Sequence, residues 1–157
     1  MREKGIHLVE THVAGACIGN GLGPIYVLAL RRAGSRSLYP NLWEGIGGQV
    51  QPGQSFEDAV RSHLQDEAGI SGRVVCPFAT YVIQPGPDTG AEHAIPGVRF
   101  LVKIDGTPQP RIREDQHQGW AWLPEDEIDK VEWIPGIKDQ LVDGIKLYKR
   151  LHYEDSV

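Results

Sequence analysis

The sequence predicts an α/β domain in which one mixed β-sheet is sandwiched between helices. Two patterns point to it. Short apolar runs with strand character precede and separate two helical segments. Each helical segment carries its apolar residues on one face, as a helix packed on a sheet must. With 157 residues, 40% hydrophobic and 24% charged, the chain is expected to form a single domain, core about 12–151. At that length a domain can bury a core without disulfides or a structural metal.

Residues 12–19 (HVAGACIG) and 25–31 (IYVLALR) read as two strands joined through the turn residues Asn20-Gly21-Leu22-Gly23-Pro24. Residues 32–45 are loop-like. A short strand follows around Ile46–Val50, and then a turn, Gln51-Pro52-Gly53-Gln54. The first helix is expected from Ser55 to Ala68. Ser55 followed by Asp58 is a capping-box-like start, Phe56, Val60 and Leu64 form an apolar stripe, and Gly69 supplies the stop. Residues 73–84 and 97–104 read as strands, with Pro77 implying a bulge or an edge. The Pro85–Pro96 loop between them is long for a hairpin, so it either lines a cleft or is tolerated surface. Gly119–Leu123 is another short strand. Ile137, Leu141, Ile145 and Tyr148 mark a second helix over 136–151.

Composition narrows the function. Lys plus Arg total 16 against 21 Asp plus Glu, a net charge of -5. A nucleic-acid partner is not expected, because displacing phosphate counterions needs a basic surface. No stretch approaches the roughly 18 apolar residues of a membrane span, and the Met1–Gly5 start lacks a signal-peptide core. The default location is the cytoplasm, and a homodimer is the default symmetric assembly. Cys17 and Cys76 stand in apolar runs without CxxC spacing and read as buried free thiols.

The segment that carries chemistry runs from Gly47 to Ile70, GGQVQPGQSFEDAVRSHLQDEAGI. A glycine turn feeds a helix that presents His63, Asp66 and Glu67 at i, i+3 and i+4, on one side. Two carboxylates and an imidazole projecting into a cleft could hold a divalent metal. Oxygen donors suit Mg²⁺, and imidazole suits Mn²⁺ and later transition metals. The plainer reading is a solvated helix face. Arg31 and Arg32 end a strand and could reach phosphates. Tyr39, Trp43 and Tyr81 could stack on a flat group, although aromatics of this size are more commonly core.

This segment resembles the signature of the Nudix hydrolase superfamily, G-x5-E-x7-R-E-U-x-E-E-x-G-U, with U a bulky aliphatic residue. Gly48, Leu64, Glu67, Gly69 and Ile70 match it, and Asp66 replaces a Glu. Gln54, Ser62 and His63 depart from it. Arg31-Arg32, Tyr39 to Trp43 and Gly47-Gly48 are similar to the family's lead-in. Arg113-Glu114-Asp115 before Trp120 to Pro124 is similar to its late loop and strand. The likeness covers roughly residues 12–150. It implies a Nudix-type sheet between helices and metal-dependent cleavage of a diphosphate linkage in a nucleoside-diphosphate-X or similar small nucleotide-type substrate.

By resemblance, Asp66 and Glu67 hold Mg²⁺ or Mn²⁺, with His63 a substitute ligand or base. Glu114 is the loop base, with Asp115 and Glu92 behind it. The catalytic set is thus Glu67, Glu114 and His63, and the substrate-binding set is Arg31, Arg32, Trp43 and Gly48. His63 removes one formal negative charge and should weaken Mg²⁺ binding. The departures Gln54 and Ser62 remove an opposite-charge pair together, so neither charge is stranded. The alternative is a Nudix-like domain with impaired hydrolysis that binds a nucleotide metabolite or a protein partner. An isopentenyl-diphosphate isomerase reading is set aside, because residues 44–50 (EGIGGQV) hold no cysteine beside the glycine turn. A purely structural domain would bind neither metal nor nucleotide.

Overall fold

The computed structural model describes Gly5 and residues 8–20 and 24–155, the last three as backbone only. Gly21 to Gly23 of the expected turn, and most of the Met1–Gly5 start, lie outside the described residues.

Among the described residues, seven strands form one mixed sheet: β1 (His12–Asn20), β2 (Ile25–Arg32), β3 (Trp43–Glu44), β4 (Ile46–Gln49), β5 (Arg73–Ile83), β6 (Ile95–Asp105) and β7 (His117–Pro124). The order is β3-β2-β1-β6-β5, with β7 added on β2 and β4 on β1. β1 and β6 run parallel from His12↔Gly97 to Asn20↔Asp105, and the other pairs are antiparallel. On its other side β1 changes neighbour along its length. Its end pairs with β2 (Ile18↔Val27) and its start with β4 (His12↔Gln49). That parting of β2 from β4 opens the space in which the site lies.

Period-two alternation sends successive strand residues to opposite faces. Val13, Cys17, Leu28, Leu30, Phe100 and Val102 pack with Ala59, Val60 and Leu64 of α1 (Phe56–Ala68). Ala16, Ile18, Val27, Ala29 and Leu101 face the other way, onto Leu141, Ile145 and Tyr148 of α2 (Ile137–Asp155). The expected sandwich is therefore present. Gly144 lets α2 approach closely, since a Cβ there would stand 3.0 Å from Ala16 Cβ.

Three details differ from the sequence expectation. The strand expected near Ile46–Val50 is β4, and a further two-residue strand, β3, lies within the expected 32–45 loop. A 3-10 helix, Glu125–Lys130, follows β7, and α2 continues to Asp155. As expected, Pro77 lies on an edge strand, β5, and the β5–β6 register shifts between Pro77 and Ala79. Cys17 is buried and Cys76 half-buried, and both are free. No helix among the described residues is long and apolar enough to cross a membrane.

Ser55 caps α1 by accepting from the Asp58 amide at 3.1 Å, and Gly69 closes it in the left-handed region at φ 65°. Ser55→Ala should cost about 1 kcal/mol of stability. Urea denaturation with an unchanged m-value would show that loss.

Candidate functional site

A cavity of about 640 Å³ opens where β2 and β4 part. It is bounded by the start of β1, the 32–39 loop, the β3–β4 turn, the end of α1, the ends of β5 and β6, and the start of α2. Gln84 and Thr89 bring in the Pro85–Pro96 loop, so that loop does line the cleft.

Glu67 enters this cavity from the last turn of α1. Its Oε2 accepts from the Gly47 amide at 3.1 Å. Burial pushes the Glu67 carboxyl up to about 8. The charges of Glu44 and Asp66 add to that, and the Gly47 bond and Arg36 oppose it. A carboxyl in this setting is held largely protonated near neutral pH in the metal-free protein.

The other two residues of the helical trio are not gathered with it. Asp66 is exposed and accepts from Arg113 Nη1 at 3.1 and 3.3 Å. The His63 ring lies over Gly48, and its Nε2 donates to the Gln49 carbonyl at 2.8 Å. A Cβ on Gly48 would stand 2.2 Å from His63 Cε1. Gly47 and Gly48, expected in a turn, belong to strand β4 and pair with β1, so His63 clamps that strand to the helix. Among the described residues, no group of three His, Cys, Asp or Glu side chains is arranged to hold a metal. Gln54, at a departure from the box, accepts from the Gln51 amide at 2.9 Å and closes the turn.

The sequence reading missed Glu44. It accepts from Arg32 Nη1 at 3.0 Å, is 2.9 Å from His117 Nε2, and lies 4.0 Å from Arg36 Nη1. Burial alone would raise this carboxyl, but the His117 hydrogen bond and the Arg32 charge outweigh it and hold it below the usual range. His117 is fully buried, and its Nδ1 has no partner among the described residues. Arg36, His12 and Arg99 also line the cavity and were not singled out. Their sequence signal was faint: an arginine within the apolar run GVRFLVKI, and a histidine opening a strand.

The remaining expected residues divide between cavity and elsewhere. Arg32, Gly48, Tyr39 and Tyr81 line the cavity. Arg31 is exposed and donates to the Asn41 carbonyl. Trp43 packs against the α2-side core and bonds through its backbone to Glu132 and Ile134. Glu114, Asp115 and Glu92 are exposed and lie outside the cavity lining.

A model of the NUDIX domain family matches residues 10–143. The chain belongs to the Nudix family. Its relatives include an isopentenyl-diphosphate Delta-isomerase of Paenarthrobacter aurescens strain TC1, 31% identical over 130 residues, 77% of this chain. The chain spans 66% of that relative's length. Among solved structures, an Ap4A hydrolase binary complex of C. elegans superposes with a TM-score of 0.70 at 18% identity, covering 90% of this chain and 98% of that one. The NUDIX domain of Shewanella oneidensis NrtR, complexed with ADP ribose, superposes at 0.69 with 15% identity, covering 96% and 94%. At such identities these likenesses show the shared Nudix fold.

Two outcomes follow from this geometry. Gly48→Ala should cost about 1–3 kcal/mol, since the new methyl must displace a packed ring. In a His63→Ala background the same change should cost much less, giving a coupling that a double-mutant cycle by urea denaturation will measure. The second concerns pH. Glu67 has a folded pKa of about 8 against an ordinary 4.5, so its contribution to stability is full below the ordinary value and is lost as pH rises through the folded one. Metal-free wild type should therefore lose stability relative to Glu67→Gln between about pH 5 and pH 8, as read by thermal melts across that window.

Proposed function

We propose that the cavity cleaves a diphosphate linkage in a nucleotide-type substrate, with a divalent cation. The observation that carries this reading is the position of Glu67. This box carboxylate stands half-buried in the wall of a cavity of about 640 Å³ together with Arg32, Arg36 and Arg99. The lining thus holds three guanidinium groups, one carboxyl kept below the usual range, Glu44, and one raised above it, Glu67. Such a lining favours an anionic ligand. The volume lies within the range of small-molecule sites.

The donors present fit a hard cation of the Mg²⁺ or Mn²⁺ kind. Mg²⁺ is commonly held through one or two carboxylates, with waters and substrate phosphates completing its shell. Burial and neighbouring negative charge raise Glu67, and a cation would relieve both. Glu67 would hold the metal, joined by Asp66 once its exposed pairing with Arg113 is released. His63 could join only by giving up the Gln49 carbonyl. When bound, the cation would neutralise the diphosphate and activate water. Arg32 and Arg36, converging on Glu44, would orient the phosphates. Glu114 would have to fold inward from the surface to serve as base.

A second reading, a binding domain with impaired hydrolysis, is favoured by one observation: Asp66 faces Arg113 while His63 is engaged by β4. The isomerase named among the relatives gains no support from the cavity. Neither cysteine lines it, and burial pushes the Cys17 thiol up to about 12.

A panel of nucleoside diphosphate derivatives and isopentenyl diphosphate, with Mg²⁺ or Mn²⁺, separates these readings. Hydrolysis should release a phosphorylated product, and Glu67→Gln should reduce it by about 100-fold or more without loss of fold. Near wild-type turnover in Glu67→Gln would refute the assignment. Ligand-raised melting temperatures with no turnover and no heat of Mn²⁺ binding would establish the binding domain instead.

A further inference from the structure

One wall of the cavity is built outside the Nudix box. Arg99 projects from β6 with only 5% of its surface exposed. Its Nε donates to Gln140 Oε1 on α2 at 2.5 Å. Its guanidinium carbon stands 5.5 Å from the centre of the Tyr81 ring. The structure shows a protein partner for Nε alone, and no carboxylate among the described residues lies within ion-pairing distance of it. Arg32 and Arg36, by contrast, both converge on Glu44.

Two glycines make room for this wall. Nη1 of Arg99 lies 4.0 Å from where a Cβ on Gly45 would stand, so the amine faces the open β3–β4 turn. A Cβ on Gly97 would stand 2.3 Å from the Tyr81 ring. Without it, Tyr81 lies across β6 and its hydroxyl reaches His12 Nδ1 on β1, 2.6 Å away. His12, Tyr81, Arg99 and Gln140 thus make one polar surface drawn from three neighbouring strands and α2. Burying an arginine is costly unless its charge is met. Here Gln140 and the Tyr81 ring meet it in part, and no carboxylate among the described residues does.

We propose that Arg99, held by Gln140 and Tyr81, is a subsite for a terminal anionic group of the substrate, a carboxylate or a phosphate. It shares no protein partner with the Arg32–Arg36 pair, so it recognises a second acidic end beyond the diphosphate. The fork of two free Nη amines matches paired oxyanion oxygens. The inference rests on the reading of this cavity as the substrate site. It selects, among diphosphate compounds, those whose far moiety carries an acid.

The test uses the full chain without metal, titrated separately with inorganic phosphate and with acetate. Binding is read from the rise in melting temperature with concentration. Arg99→Gln should weaken the recognised anion by about 10- to 100-fold, as expected for a lost charge-assisted hydrogen bond. Gln140→Glu gives the guanidinium an internal carboxylate. It should weaken the same anion while keeping or raising the melting temperature of the free protein, which a purely structural role for Arg99 would not produce. Loss confined to phosphate identifies a phosphate end, and loss of acetate identifies a carboxylate end. No measurable binding of either anion to wild type, or equal binding in the variants, overturns the subsite. If Arg99→Gln fails to fold, Gln140→Glu decides alone. Because neither metal nor turnover is involved, a hydrolase assay that fails leaves this result standing. Likewise, an active enzyme whose variants bind both anions normally loses only the subsite.

Discussion

The architecture of the site depends on how closely the Gly47–Gly48 stretch of β4 lies against the last two turns of α1. His63 rests its ring on Gly48 and donates to the Gln49 carbonyl, and Glu67 accepts from the Gly47 amide. A side chain at Gly48 would push against the His63 ring and hold the helix away, and one at Gly47 would meet the backbone of β1 at Val13 and Ala14. With both positions bare, the helix end is brought over the start of β1, and Glu67 is carried into the cavity instead of solvent. The backbone amide that orients Glu67 offsets only part of its desolvation, which is why its carboxyl stays raised.

This arrangement gives His63 a meaning that differs from a ligand in waiting. A Glu at that position would be longer and charged, and it would not lie flat on Gly48. Replacing carboxylate by imidazole exchanges a negative charge for a clamp between β4 and the helix. Gln54 works in the same direction, closing the preceding turn with a neutral hydrogen bond. The box departs from its family in charge, yet β4 and the helix stay joined by polar contacts that need no ion pair.

Electrostatics then divide the cavity. On one side Glu44 gathers Arg32, Arg36 and His117 into a paired, partly buried network. On another, Arg99 stands without a counter-charge, sheltered by Tyr81 and Gln140. Tyr81 is pushed up to about 12 by burial, and burial with the charges of His63 and Arg99 brings His12 down to about 4. Near neutral pH the tyrosine hydroxyl is therefore a donor and the His12 ring is uncharged. The wall around Arg99 is neutral apart from the guanidinium itself.

The sequence alone determined the elements that local chemistry dictates. Ser55, the Phe56–Val60–Leu64 stripe and Gly69 specify α1, because caps and periodicity act within a few residues. Apolar runs in 12–19, 25–31 and 97–104 specified strands, and their arrangement around two one-faced helices specified a sheet covered by helices. Box spacing brought out Glu67 and Gly48, which the structure places in the cavity. Tertiary structure decided the rest. The i, i+3, i+4 spacing put His63, Asp66 and Glu67 on one side of α1, but a helix face spans an arc, and distant groups divided it: Gln49 engaged His63, Arg113 engaged Asp66, and Gly47 engaged Glu67. Glu44 and Arg99 lie in segments without a motif, 73 and 41 residues from their partners His117 and Gln140, and become site residues only because β1 exchanges β2 for β4 along its length. A one-dimensional pattern records which residues are near in the chain, whereas burial and charge at this site are set by strands that meet only after folding.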